Sequence, residues 1–293
     1  MPVLGRRGFT LVELMVSLVL FGIVSTAIYK ILVSNQRVYQ AQTQRIGLQQ
    51  NIRAAVAIFD GEFRELDARE GDIQAMAPNF LTVRAMRQLG FICNPPVLGA
   101  GVNGLTMTLR STPFYGFRRF ASGDSLLVFY EGDQMSRADD GWHLAKIVAT
   151  PTNQPCPDAT AGQQLTVNLA PFPGPPGQVN QAGAITTGSP VRGFEVVTYG
   201  VYQDSDSSWY IALVNASGTK PMIGPIIGSN GLTFTYYDTT GAVTGVAANV
   251  AHIGITVRAQ TAQQVWSGGA GGAMIAKVDS FTTQVTLRNN PRF

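Results

Sequence analysis

From Phe9 to Val33 the chain is almost continuously apolar, and its only charges there are Glu13 near the start and Lys30 near the end. A helix needs about 20 such residues to span a bilayer, so this run is long enough to cross one. Beyond it, Leu48, Ile52, Ala55, Val56, Phe59, Phe63 and Leu66 recur at three- and four-residue steps, with Gln49, Gln50, Arg53 and Glu62 between them. That spacing predicts one helix from Thr10 to about Leu66, about 85 Å long at ~1.5 Å per residue, whose second half covers a core. The upper part of the stripe, near Val38 and Ile46, either packs on the same core or also contacts other chains. No Pro lies between Pro2 and Pro78, which leaves Gly22 and Gly47 as the soft points of the helix.

After Asp67 the period changes. Segments 126–130, 145–149, 194–202, 209–214, 232–237, 253–257 and 281–287 are rich in β-branched and aromatic residues, with turn formers between them. A mainly antiparallel sheet is the expectation, and with the helix it makes an α+β fold. The predicted divisions are a leader at 1–8, a membrane-spanning half-helix at 9–33, an amphipathic half at 34–67 and a β-rich head at 68–293. Asp238-Thr239-Thr240-Gly241 reads as a tight turn, Pro171 to Gly177 as a loop dividing two sub-regions, and Ser267 to Gly272 as a flexible tip.

Composition narrows the setting. Charged residues are only 13% of the chain and hydrophobic ones 45%, which excludes general disorder. The net charge of +3 includes Arg6 and Arg7, so a chain without its leader carries 3 − 2 = +1, no footprint for nucleic acid. Arg6 and Arg7 before the apolar run place the N-terminus in the cytoplasm and the head on the far side, by the positive-inside rule. Cys93 and Cys156 then lie in an oxidising compartment and are expected to pair, the alternative being two thiols that never meet. Two cysteines alone build no zinc site.

Three readings compete for the N-terminal run. Small residues Ser25 and Ala27 suit an ordinary secretory signal, but Glu13 inside the apolar stretch and the helical pattern running through Ala27 argue against it. A plain anchor leaves Glu13 without purpose, although a carboxylate at mid-helix costs about 2.5–3.5 kcal/mol on insertion scales. The sequence Gly8-Phe9-Thr10-Leu11-Val12-Glu13-Leu14, behind a short basic leader, resembles the prepilin signature of type IV pilins and type II secretion pseudopilins. The resemblance implies that a prepilin peptidase cuts between Gly8 and Phe9 and methylates the new amine of Phe9. It also implies that Glu13 directs assembly by pairing with a neighbour's N-terminal amine in the filament core, or with its own amine before assembly.

A second resemblance covers the end of the chain. Pro225-Ile226-Ile227, the segments 232–238 and 250–257, and Val285-Thr286-Leu287-Arg288-Asn289 look like the C-terminal strands of PilW-type minor pilins and J-type pseudopilins. The length, greater than is usual for major pilins, agrees with a minor subunit that primes or caps a fibre without enzymatic chemistry. The partners implied are the prepilin peptidase, other minor and major pilin or pseudopilin subunits, an inner-membrane assembly platform and the lipid bilayer. The localisation implied is a single pass through the inner membrane with a periplasmic head, and then the pilus or pseudopilus.

Other chemistry is thin. His143 and His252 have no neighbours that suggest a triad or ligand set, and no cofactor or metal motif occurs. Asp204 and Asp206 fit a solvated turn better than a calcium loop, since the glycine and distal glutamate of such a loop are missing. Arg84 with Arg87, and Arg118 with Arg119, are the only hints of a DNA-binding competence pilin. A membrane-anchored periplasmic enzyme is the remaining alternative.

Overall fold

The structure is a computed structural model that describes residues 10–99, 104–131, 135, 140–170, 184–268 and 272–288. One helix, α1 (Leu11–Arg64), is 54 residues long, about 80 Å at ~1.5 Å per residue. It runs through Gly22 and Gly47 without interruption. Its first half is bare, with Leu11, Phe21 and Tyr29 each more than two-thirds exposed, and burial begins only at Leu48. From there Leu48, Ile52, Ala55, Phe59 and Phe63 are buried, as the three- and four-residue spacing predicts. The helix stops at Arg64, where the carbonyl accepts the Arg288 amide at 2.8 Å and the Asp72 carboxylate receives the Asp67 amide at 2.9 Å. Its last turn is thus tied to the two ends of the head.

The head is antiparallel sheet throughout its named pairings, so the fold is α+β. In chain order the strands begin with β1 (Ile73–Ala77), β2 (Phe80–Phe91), β3 (Val97–Leu98), β4 (Gly104–Arg110), β5 (Tyr115–Gly116) and β6 (Ser125–Tyr130). They continue with β7 (Gly141–Ile147), β8 (Thr152–Asn153), β9 (Gly162–Leu169), β10 (Pro190–Gln203), β11 (Trp209–Asn215) and β12 (Gly218–Ile226). Last come β13 (Leu232–Tyr237), β14 (His252–Gln260), β15 (Val265–Trp266), β16 (Met274–Ile275) and β17 (Val278–Thr286). The main sheet runs β13-β14-β12-β11-β10-β6-β7-β9-β4-β3, with β17 on β14 and β2 along β10.

Strand β10 is the hub. Its residues 190–200 pair with β2, its N-terminal part also pairs with β6, and its C-terminal half with β11. It therefore belongs to two cores. Val197 and Tyr199 join the α1 residues in the larger core, whereas Val191 joins Leu109, Leu126, Val128 and Val167 in a smaller one. The Pro171–Gly177 loop lies outside the described residues, and the division between cores falls within β10 itself.

A β-bulge sits at that division. Gly193 faces Gln88 and Phe194 faces Met86, which leaves Arg87 without a partner in the ladder. The extra residue reverses the phase of burial, so that Leu81, Val83 and Ala85 are buried before the bulge and Gln88 after it. Arg87 is released from the alternation and reaches α1, where its Nη1 donates to Glu62 Oε1 at 2.9 Å and its Nε to Glu195 Oε2 at 3.3 Å.

Aromatic packing holds the helix to the sheet more strongly than this charge cluster does. The Phe59 ring lies 5.6 Å from Tyr199 and 5.8 Å from Phe234, and the Phe63 ring lies 5.5 and 5.9 Å from the same two, all edge to face. Truncating one fully buried Phe to Ala costs about 3–5 kcal/mol. The Arg87–Glu62 pair, still partly exposed, is worth less and fixes the seating of the helix. The Asn51 side chain adds a further pin, donating to the Gly224 carbonyl at 2.8 Å.

Cys93 and Cys156 form a disulfide 63 residues apart in sequence, beside the smaller core. Next to it, Asp158 accepts from Thr160 and pairs with Arg110 Nη2 at 2.7 Å. The Thr160 hydrogen bonds, and then Arg110, hold the Asp158 carboxyl down to about 2. At the ends of the expected flexible tip, Ser267 to Gly272, Ser267 N donates to the Ala273 carbonyl at 2.9 Å, and Ala273 N to Ser267 Oγ at 2.9 Å. Residues 269–271 of that segment lie outside the described residues.

Two outcomes follow. Reducing the disulfide costs about 2–4 kcal/mol by loop entropy and is expected to speed amide exchange first in β4 and β9, leaving protection of residues 52–63 of α1 largely intact. Because Asp158 is held below the ordinary carboxylate range, its contribution is present above pH ~4 and lost as pH falls toward ~2. NMR of the Thr160 amide should show that acid step, and Asp158→Asn should abolish it.

Candidate functional site

The N-terminus of α1 carries the residue that the sequence singles out. Thr10, with φ −77° and ψ 149°, is the N-cap, and Glu13 occupies the third helical position. The Glu13 amide donates to Thr10 Oγ1 at 3.2 Å, and Glu13 Oε2 accepts from the Thr10 amide at 3.0 Å and from its hydroxyl at 3.1 Å. This is a capping box, in which two otherwise unpaired helix-end amides are satisfied reciprocally. Thr-x-x-Glu before an apolar run is its sequence signal, and it is the one sign of the role of Thr10. Gly8 and Phe9 lie outside the described residues.

The box changes what Glu13 can do. Before any partner arrives, its carboxylate already has two donors and sits at the positive end of the helix. Any further donor to this carboxylate has to displace or share these bonds. From Leu11 onward the helix is long and apolar enough to cross a membrane, and none of that window is buried within the chain. Bare apolar surface of this extent requires lipid or other helices around it.

The remaining sequence candidates have partners within the head. Arg84 Nη1 donates to the Glu70 carbonyl at 3.1 Å and its guanidinium lies 5.5 Å from the Phe194 ring centroid. Arg118 meets both Asp124 oxygens, at 2.7 and 2.6 Å, and the Arg119 guanidinium lies 6.0 Å from the Phe114 ring centroid. With Arg87 held by Glu62 and Glu195, these arginines form no free phosphate-facing row. Asp204 and Asp206 accept the amides of Ser205 and Ser208 within their own turn. His143 is buried in β7, where burial pushes its pKa down, and His252 Nδ1 meets Thr286 Oγ1 at 2.9 Å across β14 and β17. The two histidines thus lie in different strands, β7 and β14.

Residues 4–29 match the family model for the prokaryotic N-terminal methylation motif. The match supports a type IV pilin-like protein, and with it processing by prepilin peptidase and assembly with other pilins. The apolar N-terminal helix fits a membrane-anchored member of that class. No curated protein and no solved structure matches the chain.

Substitutions at Glu13 separate capping from charge. Glu13→Gln keeps an acceptor for the Thr10 amide, whereas Glu13→Ala removes it and should loosen the first turn. Amide exchange of residues 11–14 in micelles is expected to be near wild type for Gln and faster for Ala.

Proposed function

We propose that this chain is a minor pilin or pseudopilin, a non-enzymatic subunit that primes or caps assembly of a type IV pilus or a type II secretion pseudopilus. The observation that carries the reading is the continuity of α1, bare and apolar where the methylation motif lies and buried against the head from Leu48 onward. One element thus presents an adhesive surface for neighbouring helices and holds a head outside it.

In this reading prepilin peptidase cuts between Gly8 and Phe9 and methylates Phe9. Cutting before the apolar run leaves the anchor on the mature protein. Phe9 to Val33 holds the subunit in the inner membrane, with the head in the periplasm, and afterwards in the fibre core. There lipid and water are excluded, and the carboxylate of Glu13 is tolerable only when paired, so a neighbour's amine sets the axial register. The head, with its two cores and long sheet, meets other minor subunits.

Mass spectrometry of the mature N-terminus from membranes tests the reading. A methylated Phe9 is expected; a chain beginning at Ile28 would replace this account with ordinary secretion. In the same cells Glu13→Gln should match Glu13→Ala in failing to enter fibres while still being cleaved. Normal incorporation of the Gln variant would assign Glu13 to capping alone.

A further inference from the structure

Between Glu13 and Asp60 the helix carries Lys30, Arg37, Arg45 and Arg53 and not one acidic residue. Three of these cations face a groove of about 750 Å³ between α1 and the β15–β16 hairpin, and Lys277, just before β17, supplies a fourth. The hairpin is seated on the helix by Gln263 N, which donates to Gln44 Oε1 at 3.3 Å, and by Trp266, whose ring centroid lies 4.6 Å from the Arg37 guanidinium. Thr261 fixes the backbone of Lys277 from both sides, its amide donating to the Lys277 carbonyl and its Oγ1 accepting the Lys277 amide at 3.0 Å. Among the described residues none of these cations forms an ion pair. The nearest acid along the chain, Asp279, accepts the Ser280 amide at 2.9 Å and does not line the groove.

Position supplies the second half of the case. A hydrocarbon layer about 30 Å thick takes ~20 helical residues, so a span that starts near Leu11 reaches the far headgroup layer near Tyr29 and Lys30. Those two residues form the membrane-side end of the groove, with Trp266 on the other wall. Tyr and Trp concentrate at that level of a bilayer, and basic side chains there meet lipid phosphates.

We propose that this groove binds the phosphodiester headgroup of an anionic phospholipid from the leaflet that faces the head. The inference rests on the membrane-spanning reading of α1 but not on entry into a fibre. The bound lipid holds the hairpin and the helix stem against the membrane surface while the subunit waits. It has to be released, or carried along, when the subunit is drawn out of the bilayer.

Native mass spectrometry of the full chain from neutral-detergent micelles, doped equally with phosphatidylglycerol and phosphatidylcholine, tests this. The wild type should retain phosphatidylglycerol preferentially. Lys277→Gln, which leaves the Arg37–Trp266 contact intact, should cut that preference about fivefold, the effect of one cation at an anionic surface. Arg53→Gln removes the same charge outside the groove and should change little. Equal retention of the two lipids, an equal loss with Arg53→Gln, or displacement of the lipid by an equal concentration of glycerophosphate would each overturn the proposal. So would unaltered lipid preference in a Lys277→Glu variant that fails to enter fibres, which would give the groove to an acidic neighbouring subunit. Carbonate extraction keeps the premise separate: release of the chain from membranes would defeat the spanning reading itself, whereas retention without lipid preference defeats only the groove.

Discussion

Phe59 and Phe63 stand fully buried between Tyr199 and Phe234, and no movement of the helix along its axis is free of that contact. The rest of the molecule depends on it. A helix with its first half bare has no packing of its own there, so the orientation of the anchor is set wholly by how its second half is gripped. Ala55, with no exposed surface, brings the helix close enough for the rings to interlock, and Asn51 and Arg87 fix it in place at either side. The hydrophobic term dominates and the polar contacts choose the position.

The same contact explains why one sheet holds two cores. Strand β10 lends Tyr199 to the helix and Val191 to the smaller core, and the bulge opposite Gly193 lets β2 follow it with a reversed burial phase. Arg87 is exempt from the sheet's alternation because it is the bulge's extra residue. A residue placed there can point at Glu62, which an in-phase residue could not reach without losing a core position.

The helix was legible because its two signals, an unbroken apolar run and then a regular stripe, each extend over several turns. Strands with clear β-branched content, such as 232–237 and 253–257, were legible for the same reason. Strand β2 was not, because the bulge breaks its alternation midway and Arg84, Arg87 and Gln88 read as a polar segment. Strands β4, β9 and β12 were also missed: Thr, Gln and Gly occupy many of their positions, and tertiary pairing outweighs that weak local preference. Glu13 was found as a lone carboxylate among apolar residues, but the Thr10 side of its capping box was overlooked. The groove was out of reach, since Arg37 and Lys277 are far apart in sequence and only the seating of the hairpin joins them.

The Arg288 amide on the Arg64 carbonyl has a consequence for the making of the protein. Synthesis delivers the helix first, yet Val285 and Leu287 belong to the core against which the helix lies, and Arg288 closes its last turn. The helix cannot be fully gripped until strand β17 has been made and paired. A chain that stops short leaves its anchor attached to an unfinished head, with apolar surface open to proteases. Helix and last described strand are thereby made to depend on each other at the point where anchor and head meet.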